Sequence, residues 1–181
     1  MSKRTQVLLA ALLLLTAMFV ACKGGEEELA EPDAFSFVIY PGSRYLGQLT
    51  ERTKDAHKVI DPSKVPPPTA IYDTEASVQD VAEYYAKQYG YREVAAEGAN
   101  NDSGTKPPAF YRSGDLAADI KVIEPIIQKL NIGTDVSKAV GAYKAAEIAP
   151  RPNRPRVTIQ RPYFDVLTSQ VVDRTYILMT R

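Results

Sequence analysis

Residues 69–94 read TAIYDTEASVQDVAEYYAKQYGYREV, and this stretch decides the fold class. Thr69-Ala70-Ile71-Tyr72 combines β-branched and aromatic side chains and reads as a strand. Ser77 then stands as an N-cap, with Asp80 three residues later as in a capping box. Val78, Val81, Tyr85 and Gln88/Tyr89 follow at spacings of three and four, which puts them on one face of a helix of about twelve residues. Gly90 supplies the left-handed stop, because a residue without Cβ takes positive φ at little cost. Tyr91-Arg92-Glu93-Val94 reads as a second strand. A helix with one apolar stripe between two strands must lay that stripe on a sheet.

Working outward, Phe35-Ser36-Phe37-Val38-Ile39-Tyr40 is a β-rich run ended by the turn signal Pro41-Gly42. Residues 44–64 are polar and read as a connector, ending in the stiff spacer Pro66-Pro67-Pro68. Residues 98–108 form a polar loop, and Ala109-Phe110-Tyr111-Arg112 a short strand. Leu116, Ile120, Ile123, Ile127 and Leu130 make a helical stripe capped by Asp115 and stopped by Gly133, with Pro125 expected to kink or split it. Asp135 is placed to cap a third helix carrying Val136, Val140, Tyr143 and Glu147 in register, weakened by Gly141. Residues 151–156 are a connector, Val157-Thr158-Ile159-Gln160 a strand, and residues 175–180 a closing strand. Residues 170–173 fit either a turn or the last strand pair. The expectation is an α+β domain over residues 34–181, a mostly antiparallel sheet with about three helices packed on it.

The start of the chain is read as an address. Lys3 and Arg4 precede a run from residue 7 to residue 20 in which Thr16 is the one polar side chain. The run is short for a span of about 20 apolar residues and suits the core of a secretory signal. It closes on Phe19-Val20-Ala21-Cys22, which resembles the lipobox of bacterial lipoproteins. The resemblance implies that residues 1–21 are removed, that the Cys22 thiol carries diacylglycerol, and that the new terminus is acylated. It further implies a place in the cell envelope, with Lys23 rather than Asp after the cysteine matching an outer-membrane destination, facing the periplasm or the exterior. The other reading of the same residues is an uncleaved signal-anchor with an incidental cysteine. Residues 22–33, rich in Gly and Glu, read as the lipidated cysteine and a flexible acidic tether. Loss of Lys3 and Arg4 with residues 1–21 leaves 20 basic and 22 acidic side chains, a net charge of −2. Tyr40-Pro41-Gly42-Ser43, Tyr84-Tyr85 and Gly90-Tyr91 also resemble a strand–helix–strand module of small uncharacterised bacterial secreted proteins, a likeness that implies no activity.

Composition then narrows the chemistry. The 181 residues balance 22 Lys+Arg against 22 Asp+Glu, so no global field draws the chain to nucleic acid. One cysteine and one histidine exclude an intrachain disulfide and cysteine- or histidine-pair metal motifs. No cofactor or metal is expected. His57 reads as a surface residue of the polar connector. Asp115 with Asp119, or Asp165 with Asp173, could make an acid/base pair, though caps and ion pairs explain the same residues. Arg151, Arg154, Arg156 and Arg161 fall in an acid-free segment braced by Pro152, Pro155 and Pro162, the candidate surface for an anionic ligand or an envelope protein partner. The loops at 66–68 and 100–104 are further candidate surfaces. Of eleven tyrosines, Tyr85 and Tyr176 read as core, and Tyr45, Tyr84 and Tyr163 as candidates for exposure. The reading is a lipid-anchored envelope lipoprotein that serves as a non-catalytic binding or interaction module. A metal-independent envelope hydrolase using Asp/Glu and a structural subunit of an envelope assembly are the alternatives.

Overall fold

The computed structural model describes residues 38–100 and 104–181. The signal-like run, Cys22, the tether, residues 35–37 of the first β-rich run and residues 101–103 of the polar loop lie outside the described residues. In chain order the elements are β1 (Arg44–Tyr45), α1 (Gly47–Ile60), β2 (Thr69–Thr74), α2 (Val78–Gln88), β3 (Ala109–Asp115), α3 (Leu116–Lys129), a 3₁₀ turn (Val136–Lys138), β4 (Ala142–Ile148), β5 (Arg156–Arg161), β6 (Tyr163–Asp165), β7 (Gln170–Val172) and β8 (Thr175–Thr180). Six strands form one sheet in the order β1-β2-β8-β5-β4-β3, every neighbouring pair antiparallel, and β6 pairs with β7 in a separate hairpin. The fold is α+β, a single domain of three helices on a mostly antiparallel sheet.

Helix α2 covers one face. Its capping box forms as read, Asp80 N donating to Ser77 Oγ and Ser77 N to Asp80 Oδ2. Gly90 takes φ 72° just past its end. Val78, Val81, Ala82, Tyr85 and Ala86 pack on Ala146, Ile148, Val157, Ile159, Ile177 and Met179. The other face carries α1 and α3. Alternation along each strand sorts the side chains: Val157 and Ile159 go to α2, Thr158 and Gln160 to the opposite side.

Five expectations of secondary structure need correction. Residues 44–64 are not a connector, because they contain β1 and the fourteen-residue α1. The buried stripe of α1 is Leu49, Thr50, Thr53 and Ala56, so half of it is threonine. Those hydroxyls are satisfied within the helix: Thr50 Oγ1 donates to the Leu46 carbonyl and Thr53 Oγ1 to that of Leu49, each at 3.1 Å. Threonine then behaves as an apolar face that composition scores as polar. The third helix is likewise absent beyond Lys138. Gly141, at φ 111°, turns the chain into β4, a strand buried on both faces. Tyr143 and Ala145 face α3 while Ala146 and Ile148 face α2, which erases the polar alternation that marks a half-buried strand. Pro125 does not split α3, which runs unbroken from Leu116 to Lys129. It sits on the exposed side of the helix, as does Lys121, the residue whose carbonyl a proline there leaves without its helical partner. The left-handed residue after α3 is Asn131, φ 52°, rather than Gly133.

Residues 91–94 form no strand, yet the segment matters to the sheet edge. Ala95 N donates to the Ala109 carbonyl and Tyr111 N to that of Ala95, both at 2.9 Å. Two residues on, Glu97 Oε1 accepts Ser113 N at 2.9 Å and Oε2 accepts its hydroxyl at 2.7 Å. Those bonds hold the Glu97 carboxyl below its ordinary pKa. The outward amides of Tyr111 and Ser113 on β3 are thus occupied, and the opposite edge, β1, is two residues long. Both devices blunt edge-to-edge pairing.

Candidate functional site

The α1 side of the sheet leaves a cleft of about 330 Å³ at the C-terminal end of that helix. Thr53, His57 and Ile60 line one wall, spaced four and three so that they share a helix face. Asp61, Lys64, Val65, Pro66 and Pro67 of the following loop form the rim. The floor comes from β5 and β8, where Arg156 pairs with Thr180 and Thr158 with Leu178 across the ladder. Arg181 closes the far side, its amide donating to the Pro68 carbonyl at 3.2 Å and so tying the loop to the end of β8.

The charge in this cleft is uneven. Lys64 Nζ lies 2.7 Å from Asp61 Oδ2, and Asp61 also accepts from Ser63. The Lys64 and Ser63 bonds hold the Asp61 carboxyl below its ordinary pKa, and Asp61 in turn raises that of Lys64. Arg156 and Arg181 make no ion pair among the described residues. The sole Asp or Glu side chain on the lining is Asp61, already engaged. Burial lowers the His57 pKa, so the imidazole is neutral at pH 7, and its buried Nε2 has no hydrogen-bond partner among the described residues. Two guanidinium groups with no ion pair among the described residues, on one lining, suit an oxyanion, which accepts from each of them.

A second cavity, about 540 Å³, lies on the α2 side. Ser113, Lys144 and Arg161 form a cross-strand row there, each directly opposite the next. Its groups are largely committed. Arg161 Nε is 2.8 Å from Asp173, its Nη1 donates to the Glu75 carbonyl at 2.8 Å, and Glu97 is held by Ser113.

The four arginines read as one surface do not converge. The Arg151 guanidinium lies 4.4 Å from the Tyr91 ring and that of Arg154 5.9 Å from Tyr89, so this pair rests on neighbouring rings of the α2 side. Arg156 lines the first cleft and Arg161 the second. Arg156 and Arg161 are five positions apart on one strand, and an odd separation puts them on opposite faces. His57 is not in a loop but half-buried on α1. Sequence reasoning missed the cleft contributions of His57, Lys64 and Arg181. The signal that could have found His57 is its spacing from Thr53 and Ile60, once α1 is recognised.

The carboxylates paired on paper also part. Asp115 caps α3 through Ala118 N, and Asp119 accepts from Tyr143 Oη. Asp165 accepts from Leu167 N and Thr168, and Asp173 meets Arg161. None of these four lines the first cleft, and the two cavities bring one carboxylate each, Asp61 and Glu97. Among the tyrosines, Tyr85 and Tyr176 are core as read, but so is Tyr163, buried against Tyr176 at 5.2 Å between ring centroids. Tyr84 and Tyr45 are half-buried on Tyr85 and Tyr72. Compared with known proteins, the chain matches no family model, and no curated protein or solved structure is significantly similar to it.

Proposed function

We propose that this protein is a lipid-anchored component of the bacterial cell envelope whose folded domain is a binding module for a small anion, held in the cleft between α1 and the β5–β8 floor. The observation that carries the binding reading is the pairing of Arg156 and Arg181, neither bridged to a carboxylate among the described residues, on a cleft whose one acidic side chain is tied to Lys64. The lipobox-like residues 19–22 carry the anchoring half. A domain held at a membrane by acyl chains works at high local concentration, which suits capture of a ligand of modest affinity.

Each half has its own test. Cys22→Ala is expected to move the protein from the membrane pellet to the soluble fraction, since stable anchoring needs the acyl chains. A variant that still sediments with membranes overturns the anchor. Calorimetric titration with inorganic phosphate and with butanoate at low ionic strength is expected to show binding that weakens as salt rises. Arg156→Ala should weaken it about tenfold, the effect of losing one charge-assisted hydrogen bond. Equal affinity in wild type and Arg156→Ala refutes this choice of site.

A further inference from the structure

We infer that the ligand of this cleft is an amphiphile, a single oxyanion head carrying a short apolar chain. The inference rests on the anion reading above and adds the chemistry of the rest of the molecule. Beside Arg156 and Arg181, the lining gathers five apolar residues, Ile60, Val65, Pro66, Pro67 and Leu178, among threonines, His57 and the Asp61–Lys64 pair. Ile60 is 40% exposed and Val65 91% exposed, and both belong to this one cleft. The other large apolar side chains left exposed among the described residues, Val122, Val140 and Val171, line neither cavity.

An exposed valine standing alone is ordinary, but one beside an exposed isoleucine on the rim of a charged cleft is a concentrated apolar surface. The backbone holds it there. Prolines 66 and 67 fix φ, and the Arg181–Pro68 hydrogen bond ties the segment to β8, so Val65 has no route to fold inward with its loop. A hydrophilic anion would satisfy the arginines and leave this rim wet. A chain attached to the same head covers Ile60, Val65 and the Leu178 floor, and the rim desolvates with it. The second cavity makes a milder contrast, because it sets Val78, Tyr111 and Ala145 among Ser77, Gln79, Glu97, Ser113, Lys144 and Arg161, a more polar lining than that of the first. At about 330 Å³ the first cleft stands at the small end of small-molecule sites, which limits the chain to medium length.

The test is a chain-length series on the full domain: butanoate, hexanoate, octanoate and dodecanoate, with octyl phosphate and octyltrimethylammonium alongside. Affinity is expected to rise about three- to fourfold per methylene from butanoate to octanoate, the gain from burying one CH₂, and to level off by dodecanoate. Octyltrimethylammonium should not bind. Octyl phosphate against octanoate decides between a phosphate and a carboxylate head, and binding of either supports the inference. Val65→Gln changes a side chain with almost no packing to lose. It should flatten the chain-length slope from butanoate to octanoate. Anions that bind equally well at every chain length overturn the amphiphile while the anion site stands. Affinity that persists undiminished across the series in Arg156→Ala/Arg181→Ala removes the head-group recognition and the anion reading with it. No binding by any member of the series removes both.

Discussion

Replacing Arg44 and Arg174 together by alanine is expected to destabilise the domain by about 3–5 kcal/mol, the range for a buried charge stripped of its partners. The charge is Asp73, with 0% exposure in the middle of the sheet's edge region. Arg44 stands directly opposite it on β1 and reaches it through Nη2 at 2.8 Å and Nε at 3.1 Å. Arg174 Nε donates to the same carboxylate at 3.0 Å, and Tyr163 Oη at 3.3 Å. With both guanidinium groups gone, one phenol is left to replace the hydration of a carboxylate. The reverse deletion is milder. Asp73→Asn leaves Arg44 with a side chain 62% exposed to solvent, and leaves Arg174 with its second partner, Glu75. Urea melts should therefore rank the double arginine variant well below Asp73→Asn. For a domain of this size the difference from wild type corresponds to a drop of roughly 10–15 °C in Tm. A double variant within about 1 kcal/mol of wild type shows that the network contributes specificity or nothing, but not stability.

Gly114→Ala should be nearly as damaging, by about 2–4 kcal/mol, although it adds one methyl group on an edge strand. A Cβ at Gly114 would stand on Tyr143 Oη and Cζ and 2.7 Å from Cε1. Tyr143 cannot give way freely. Its ring is buried in the α3 cluster, its Oη donates to Asp119, and it accepts from Arg112 Nη1 at 2.6 Å. Burial, reinforced by the Asp119 bond, pushes its pKa up to about 12, so the phenol keeps the proton it donates at any physiological pH. Arg112 passes the chain on to Glu147 at 3.3 Å, which also accepts from Thr158 at 2.9 Å. Moving the ring uncouples α3 from β3, β4 and β5 at once. The mechanism is steric and specific to one partner, so a double-mutant cycle tests it. Adding Gly114→Ala to a Tyr143→Ala background should then cost close to nothing. A penalty there equal to that in wild type assigns the damage to the β3 backbone and refutes the ring contact as its cause.

These two positions differ in how far residues alone reveal them. Gly114 is one of ten glycines, and its positive-φ fellows such as Gly90 announce turns, whereas Gly114 is required by a ring from the neighbouring strand. Asp73 follows a readable strand, but its two cations come from residue 44 and residue 174, at sequence distances no local pattern spans. The cleft is a stronger case. Its residues derive from three separate stretches, 53–67, 156–158 and 178–181, and they meet because β8 inserts between β2 and β5. Arg156 was legible as a candidate through its acid-free surroundings, while Arg181 and His57 carried no such mark.

What the sequence determined by itself is what local chemistry enforces. The capping box and stripe of α2, the left-handed Gly90, the apolar ladder of α3 with its Asp115 cap and the closing strand all depend on residues within a turn or two of one another. These were enough for α+β with helices on a mostly antiparallel sheet. Tertiary structure alone decided the rest. It made a helix of residues 47–60 by burying threonines whose hydroxyls bond back to their own helix, and a strand of residues 142–148 by covering both of its faces. It also separated four arginines of one segment, because a strand sends odd and even positions to opposite sides and a sequence does not say which side will hold the cleft.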